Sequence, residues 1–213
     1  MQNIPMFTTE NGVGSLVLKD IPYSGDAYVY VLDSGNIEPF IDECYAFCKM
    51  AGAGNVYISG KDIPDKYPLY TEIWVMESSP CNWKSTDAIL VPVDDSNVQI
   101  WRELYNIRMA DVPVAAFMSG ARIEQLLKKG TAYLIYRDKT LLGIGAVSEN
   151  RMDCIASAFR GAGGDVLLAL RTAILGNIIE LEVASTNRKA ISFYERFGFS
   201  KKAIKEIWHK YIP

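Results

Sequence analysis

The sequence is short of the residues on which several chemistries depend. Its 213 positions hold 1 histidine and 4 cysteines. With His209 as the lone imidazole, neither a His-based triad nor a His-rich metal centre is expected. Cys44, Cys48, Cys81 and Cys154 show no CxxC spacing, and so few in so long a chain do not make a disulfide scaffold. Cys44 and Cys48, four apart in a helical pattern, read as small buried hydrophobes. No metal site is expected. No stretch approaches the ~18 apolar residues of a membrane span, and the start lacks the basic-then-apolar build of a leader. No Lys/Arg stripe of the kind that grips nucleic acid is present. The expected partners therefore include neither membrane nor nucleic acid, and the default location is cytoplasmic.

What is present is an ordinary globular balance, 49% hydrophobic and 22% charged, in a chain long enough for one large domain or two small ones. Charge divides unevenly. Residues 1–88 carry 5 Lys/Arg against 12 Asp/Glu, and the remainder 17 against 13. A basic C-terminal part suits a negatively charged ligand.

Residues 1–88 read as a small α/β unit. Ser15–Lys19 and Ala27–Leu32 are strand-like, Phe40 to Ala51 recurs at helical spacing, and Val56–Ser59 and Tyr70–Met76 are strand-like again. The turn-rich segment Glu77–Asp87 is the expected boundary. Residues 89–213 form a second domain, whose first strand is Ala88–Val93. Ser96 with Gln99 reads as a capping box opening a helix. A second helix opens at Ser119 and stops at Gly130. Ala132–Arg137, Leu141–Ser148 and Met152–Ala158 form an antiparallel meander through short turns. A helix over Val166–Leu175 then crosses to a parallel strand, Ile178–Ala184. A last helix covers about Arg188–Phe197, and a closing strand lies within Phe199–Ile212. The fold class is α/β of the mixed α+β kind, a mostly antiparallel sheet flanked by helices and preceded by the smaller unit.

Two segments could carry chemistry. Phe159-Arg160-Gly161-Ala162-Gly163-Gly164-Asp165 joins a strand to a helix, and its glycines expose backbone N–H groups where the helix dipole favours an anion. Arg160 could add a charge-assisted contact or simply lock the turn. Such a run can also be only geometry, and the dinucleotide fingerprint GxGxxG is not met. The second segment is Asn187 to Phe199, with Asn187 as N-cap, Tyr194 two turns in, and Gly198 as the stop.

On these residues the sequence resembles the GNAT family of N-acetyltransferases. Arg160 and Gly163 fall on the first two fixed positions of the family's R/Q-x-x-G-x-G/A motif. Asn187, Ala190, Tyr194, Gly198 and Phe199 match every written position of N-x-x-A-x-x-x-Y-x-x-x-G-F. Asp165 departs from the first motif, which has a small residue there. The resemblance implies acetyl-CoA (coenzyme A) as cofactor and transfer of its acetyl group to a primary amine by direct attack in a ternary complex. It implies that Ile155, Ala156 and Ser157 pair with the pantetheine arm, and that the turn Arg160, Gly161, Ala162, Gly163, Gly164 and Asp165 holds the pyrophosphate. Asn187 would orient the thioester arm, and Tyr194 would bind the thioester end and protonate the leaving sulfur. A strand N–H near Cys154–Ile155 would hold the carbonyl oxygen. Glu180 and Glu182 share a strand face that is either solvated or, at Glu182, able to relay the amine's proton through water. The acceptor expected is a small-molecule or peptide amine, and a homodimer is compatible with this reading. The alternative is a catalytically degenerate relative that binds CoA or regulates a partner. Residues 1–88 are expected to be a shortened, non-catalytic acetyltransferase-like unit lending a strand to the last segment.

Overall fold

The computed structural model describes residues 6–79 and 83–213; Cys81 lies outside them. The chain packs as two compact units, one made of residues up to Ile73 with Ile204–Pro213 and the other of Trp74–Ala203. Both divisions fall inside strands, where neither composition nor turn residues mark a break.

In the first unit, strands β1 (Met6–Thr8), β2 (Gly12–Val17), β3 (Asp26–Ser34) and β4 (Asn55–Ser59) accompany helices α1 (Ile21–Ser24) and α2 (Ile37–Met50). Strand β1 and helix α1 go beyond the sequence expectation; segments of three and four residues are too short to show a period. The β2 strand also starts earlier than expected, because Gly12 and Gly14 pass close to the Phe40 ring, where a Cβ would sit about 3 Å from it. Helix α2 buries Phe40, Ile41, Cys44 and Cys48 against Ala27, Val29, Val56 and Ile58. The two thiols are packing groups, and burial pushes them up to about 12 and about 11. The last strand, β11 (Ser200–Lys210), pairs antiparallel with β4 through His209↔Ile58 and Lys210↔Tyr57, so the N-terminal part does supply a neighbour for the closing segment.

In the second unit the strand order is β5-β10-β9-β8-β7-β6. These are β5 (Leu69–Ser78), entering from the first unit, then β6 (Ile89–Pro92), β7 (Ala132–Arg137), β8 (Thr140–Ser148), β9 (Arg151–Ser157) and β10 (Ile179–Ala184). The pairs β6–β7, β7–β8 and β8–β9 are antiparallel, and β9–β10 is parallel. Asp138 and Glu149 take left-handed φ of 53° and 51° in the two-residue turns of the meander. Helices α5 (Gly163–Arg171) and α6 (Arg188–Glu195) cover one face, around Leu167, Leu170, Met152, Leu181, Val183 and Ile191. On the other face α3 (Val98–Met109) and α4 (Gly120–Lys129) pack over Leu134, Ile144, Cys154 and Ala156. Each large aliphatic so buried stabilises the fold by roughly 1.5–3 kcal/mol. Gly143 and Gly145 allow α5 to lie close on β8, since a Cβ at Gly145 would stand 2.3 Å from Leu170.

The expected capping box at Ser96 does not form. Asn97 is the N-cap of α3, the Ser96 hydroxyl donates to Asp94 at 2.6 Å, and Gln99 donates to Glu103 instead. Asp94, two residues back, offers Ser96 a stronger, charged acceptor within the loop. Among the described residues no helix is long and apolar enough to cross a membrane.

Candidate functional site

The parallel pair β9–β10 is short. Its register is Glu180↔Arg151 and Leu181↔Met152, and there it stops, although β9 runs on to Ser157 and β10 to Ala184. Beyond Met152 the two strands part, which leaves the β9 edge facing β10 with unused backbone donors and acceptors. On its other side β9 pairs with β8 through a bulge: Ala146 faces Cys154 and Val147 faces Met152, so Asp153 is the extra residue. A bulge re-aims the backbone groups beside it, here those of Cys154 and Ile155.

Past Ser157 the chain turns into α5. Gly161 takes a φ of 99°, open to glycine at little cost. Helix α5 begins at Gly163, three residues before the expected Val166. First-turn residues need no intrahelical acceptor for their N–H groups, so low glycine propensity there weighs little. No side chain caps this helix end. Gly163 and Gly164 rest on the rings of Phe193 and Phe197, where a Cβ would sit 3.4 and 3.5 Å from them.

Helix α6 follows the parted β10. The Asn187 side chain accepts from the Ala190 N–H at 3.2 Å, so Asn187 is a working N-cap whose amide NH2 is left over. Tyr194 lies edge-on to Phe193 and Phe199, at 5.4 and 5.8 Å between centroids. Burial pushes its phenol well above its ordinary range, and the adjacent Cys154 adds to this. Cys154 is itself pushed up to about 12 by burial and Asp153, which marks it as packing rather than as a nucleophile. The far end of α6 is anchored at the Phe197 carbonyl, which accepts from Ser78 Oγ and Trp83 Nε1 at 3.1 and 3.0 Å.

Between these elements lies a cleft of about 980 Å³. It collects Ile155 and Ser157 from β9, Arg160, Gly161, Gly163 and Gly164 from the turn, and Asn187 and Tyr194 from α6. It also gains Ala190, a matched position of the second motif, and Arg108, Lys189, Phe193, Arg196 and Phe197, which the sequence reading did not single out. The Lys189, Phe193 and Arg196 spacing on one helix face was the available signal. Arg108 had none: it reaches from α3 to donate to the Ala158 carbonyl, fifty residues on. Among the described residues no acidic side chain lines the cleft. Arg160 and Lys189 form no ion pair among the described residues.

Four of the expected residues stand apart from the lining. Ala156 is buried against the α3–α4 side and Ala162 under α5, so each can offer only backbone. Asp165 turns away, its Oδ1 held by Arg137 at 2.6 Å and by Thr86 at 2.9 Å. Glu182 is paired with Arg151 at 3.3 Å on the exposed face of β10, beside Glu180, which holds Lys202 at 2.7 Å.

A mostly antiparallel sheet with helices on both faces, opened where one parallel pair parts, is the fold of the GNAT acetyltransferases, and solved structures agree. The chain is similar to a GCN5-related N-acetyltransferase from Sphaerobacter thermophilus, with 13% identity over 93% of this chain and 76% of that one, at a TM-score of 0.58. It is similar to a putative acetyltransferase from Pyrococcus horikoshii, with 13% identity over 95% and 70% at 0.57. A tandem GNAT protein from the clavulanic acid biosynthesis pathway matches with 14% identity over 94% and 78% at 0.55. No protein-family profile and no curated protein sequence matches the chain.

Proposed function

We propose that the protein is an N-acyltransferase that moves the acetyl group of acetyl-CoA to a primary amine. One observation carries this reading: a parted strand edge, an uncapped glycine helix start, four cationic side chains and Tyr194 meet in one cleft that no carboxylate lines among the described residues. That donor set fits a long ligand with amides along its arm and phosphates at one end.

When bound, the coenzyme supplies an activated thioester. The free edge of β9 at Ile155–Ser157 would pair with the pantetheine amides, and the N–H groups from Arg160 to Asp165 would face the pyrophosphate, with Arg160 beside it. The Asn187 NH2 would steady the arm. An N–H beside the Asp153 bulge, at Cys154 or Ile155, would meet the negative charge that grows on the carbonyl oxygen. Tyr194 would hand its proton to the leaving sulfur. Because its phenol is held above its ordinary range, it keeps that proton throughout neutral pH. The amine attacks as the free base and its proton leaves through water. Glu182, outside the lining and tied to Arg151, serves only as the far end of that relay.

Thermal unfolding with acetyl-CoA, against ADP as control, tests the ligand. At about a hundred times its dissociation constant a ligand adds ~2.7 kcal/mol, a clear rise in Tm. A shift with acetyl-CoA and none with ADP supports the reading; no shift at millimolar acetyl-CoA removes it.

A further inference from the structure

The first turn of α5 holds a contradiction. Its backbone donors and dipole invite an anion, yet its third residue, Asp165, is itself an anion. Arg137, the last residue of β7, resolves this. Its Nη2 holds Asp165 Oδ1 at 2.6 Å while its Nε holds Asp87 at 2.6 Å, and the Thr86 hydroxyl donates to the same Asp165 oxygen at 2.9 Å. One guanidinium thus draws two carboxylates to the side of the turn away from the cleft. Both ends of the pair are only partly exposed, at 37% and 28%, so water alone would screen Asp165 incompletely.

We propose that Arg137 is a positioning residue for coenzyme binding: by pinning and neutralising Asp165 it keeps the helix start open to phosphate. This rests on the coenzyme reading above. Without Arg137 the carboxylate swings free at the positive end of α5, where it competes with the ligand for the same N–H groups and repels its phosphates.

The test is a double-mutant cycle on the full chain, reading the Kd for CoA by calorimetry and the fold by circular dichroism. Arg137→Gln should raise the Kd roughly tenfold. Arg137→Gln with Asp165→Asn should bring it back to within about threefold of wild type, since nothing is left to restrain. The Arg137→Gln deficit relative to wild type should also shrink between low and high salt. A merely structural tether would show no rescue, and the double variant would bind as poorly as Arg137→Gln or worse; that result overturns the proposal alone. Should Arg137→Gln not fold, Arg137→Lys keeps one charge but cannot span both carboxylates, and its deficit must likewise be relieved by Asp165→Asn. Wild-type protein that binds no CoA overturns the coenzyme reading, and this inference with it.

Discussion

Each unit contains a strand–helix–strand crossover, and the two differ in one respect that matters. In the first unit β3 and β4 pair in parallel through five consecutive positions, from Asp26↔Asn55 to Tyr30↔Ser59. In the second, β9 and β10 pair at two positions and part. The helices differ to match: α2 starts Ile-Glu-Pro, whereas α5 starts Gly-Gly-Asp. The closed crossover keeps its two strands paired through those five positions and stands over a continuous core. The open one leaves a strand edge unpaired beside a glycine helix start and a cation-lined cleft. Unspent hydrogen-bonding capacity inside a packed unit is costly unless water or a ligand meets it, so the open crossover is where binding belongs.

The largest test of that contrast is Tyr194→Phe. In the acyltransferase reading kcat falls by about 10²-fold or more while the Kd for CoA holds, because the ring's packing on Phe193 and Phe199 survives and only the proton donor is lost. Wild-type kcat should show no decline assignable to Tyr194 up to pH 10, since its phenol is raised. An alkaline limb that begins near pH 9 and vanishes in Tyr194→Phe would show an ordinary phenol instead. Next in size is Arg160→Gln, expected to raise the Kd for CoA about tenfold, the worth of one charge-assisted contact. An unchanged Kd would mean that Arg160 only shapes the turn.

Much of the second unit was legible in the sequence because its elements declare themselves locally. The meander follows from apolar runs separated by two-residue turns, and the Asn187–Phe199 helix from its cap, its stop and its spacing. The site was legible where residues were close in the chain and hidden where they were not. Arg108 and the Arg137–Asp165 clamp depend on approaches that no local pattern encodes. The glycine turn was found but its helix start misplaced, because propensity rules speak for helix interiors and not for a first turn. Ser96 failed as a cap for a related reason: a capping box read from spacing ignores a better acceptor two residues upstream. The division into units escaped for a physical reason as well, since strands β5 and β11 each pass through it without a turn.

The smallest expected effect is also the most discriminating between the two crossovers. The first turn of α2 carries a carboxylate, Glu38, paired with Lys66 at 2.7 Å, a formal counterpart of Asp165 with Arg137. If the clamp on Asp165 matters because it guards a ligand site, the matching pair in the closed crossover should matter only as a surface ion pair. With its partners 46% and 53% exposed, such a pair is screened by water and adds little to stability. Glu38→Gln should therefore lower Tm by no more than about 2–4 °C and leave the Kd for CoA as it was. A severalfold change in that Kd would mean that the closed crossover also takes part in binding, and the contrast between the two units would have to be redrawn.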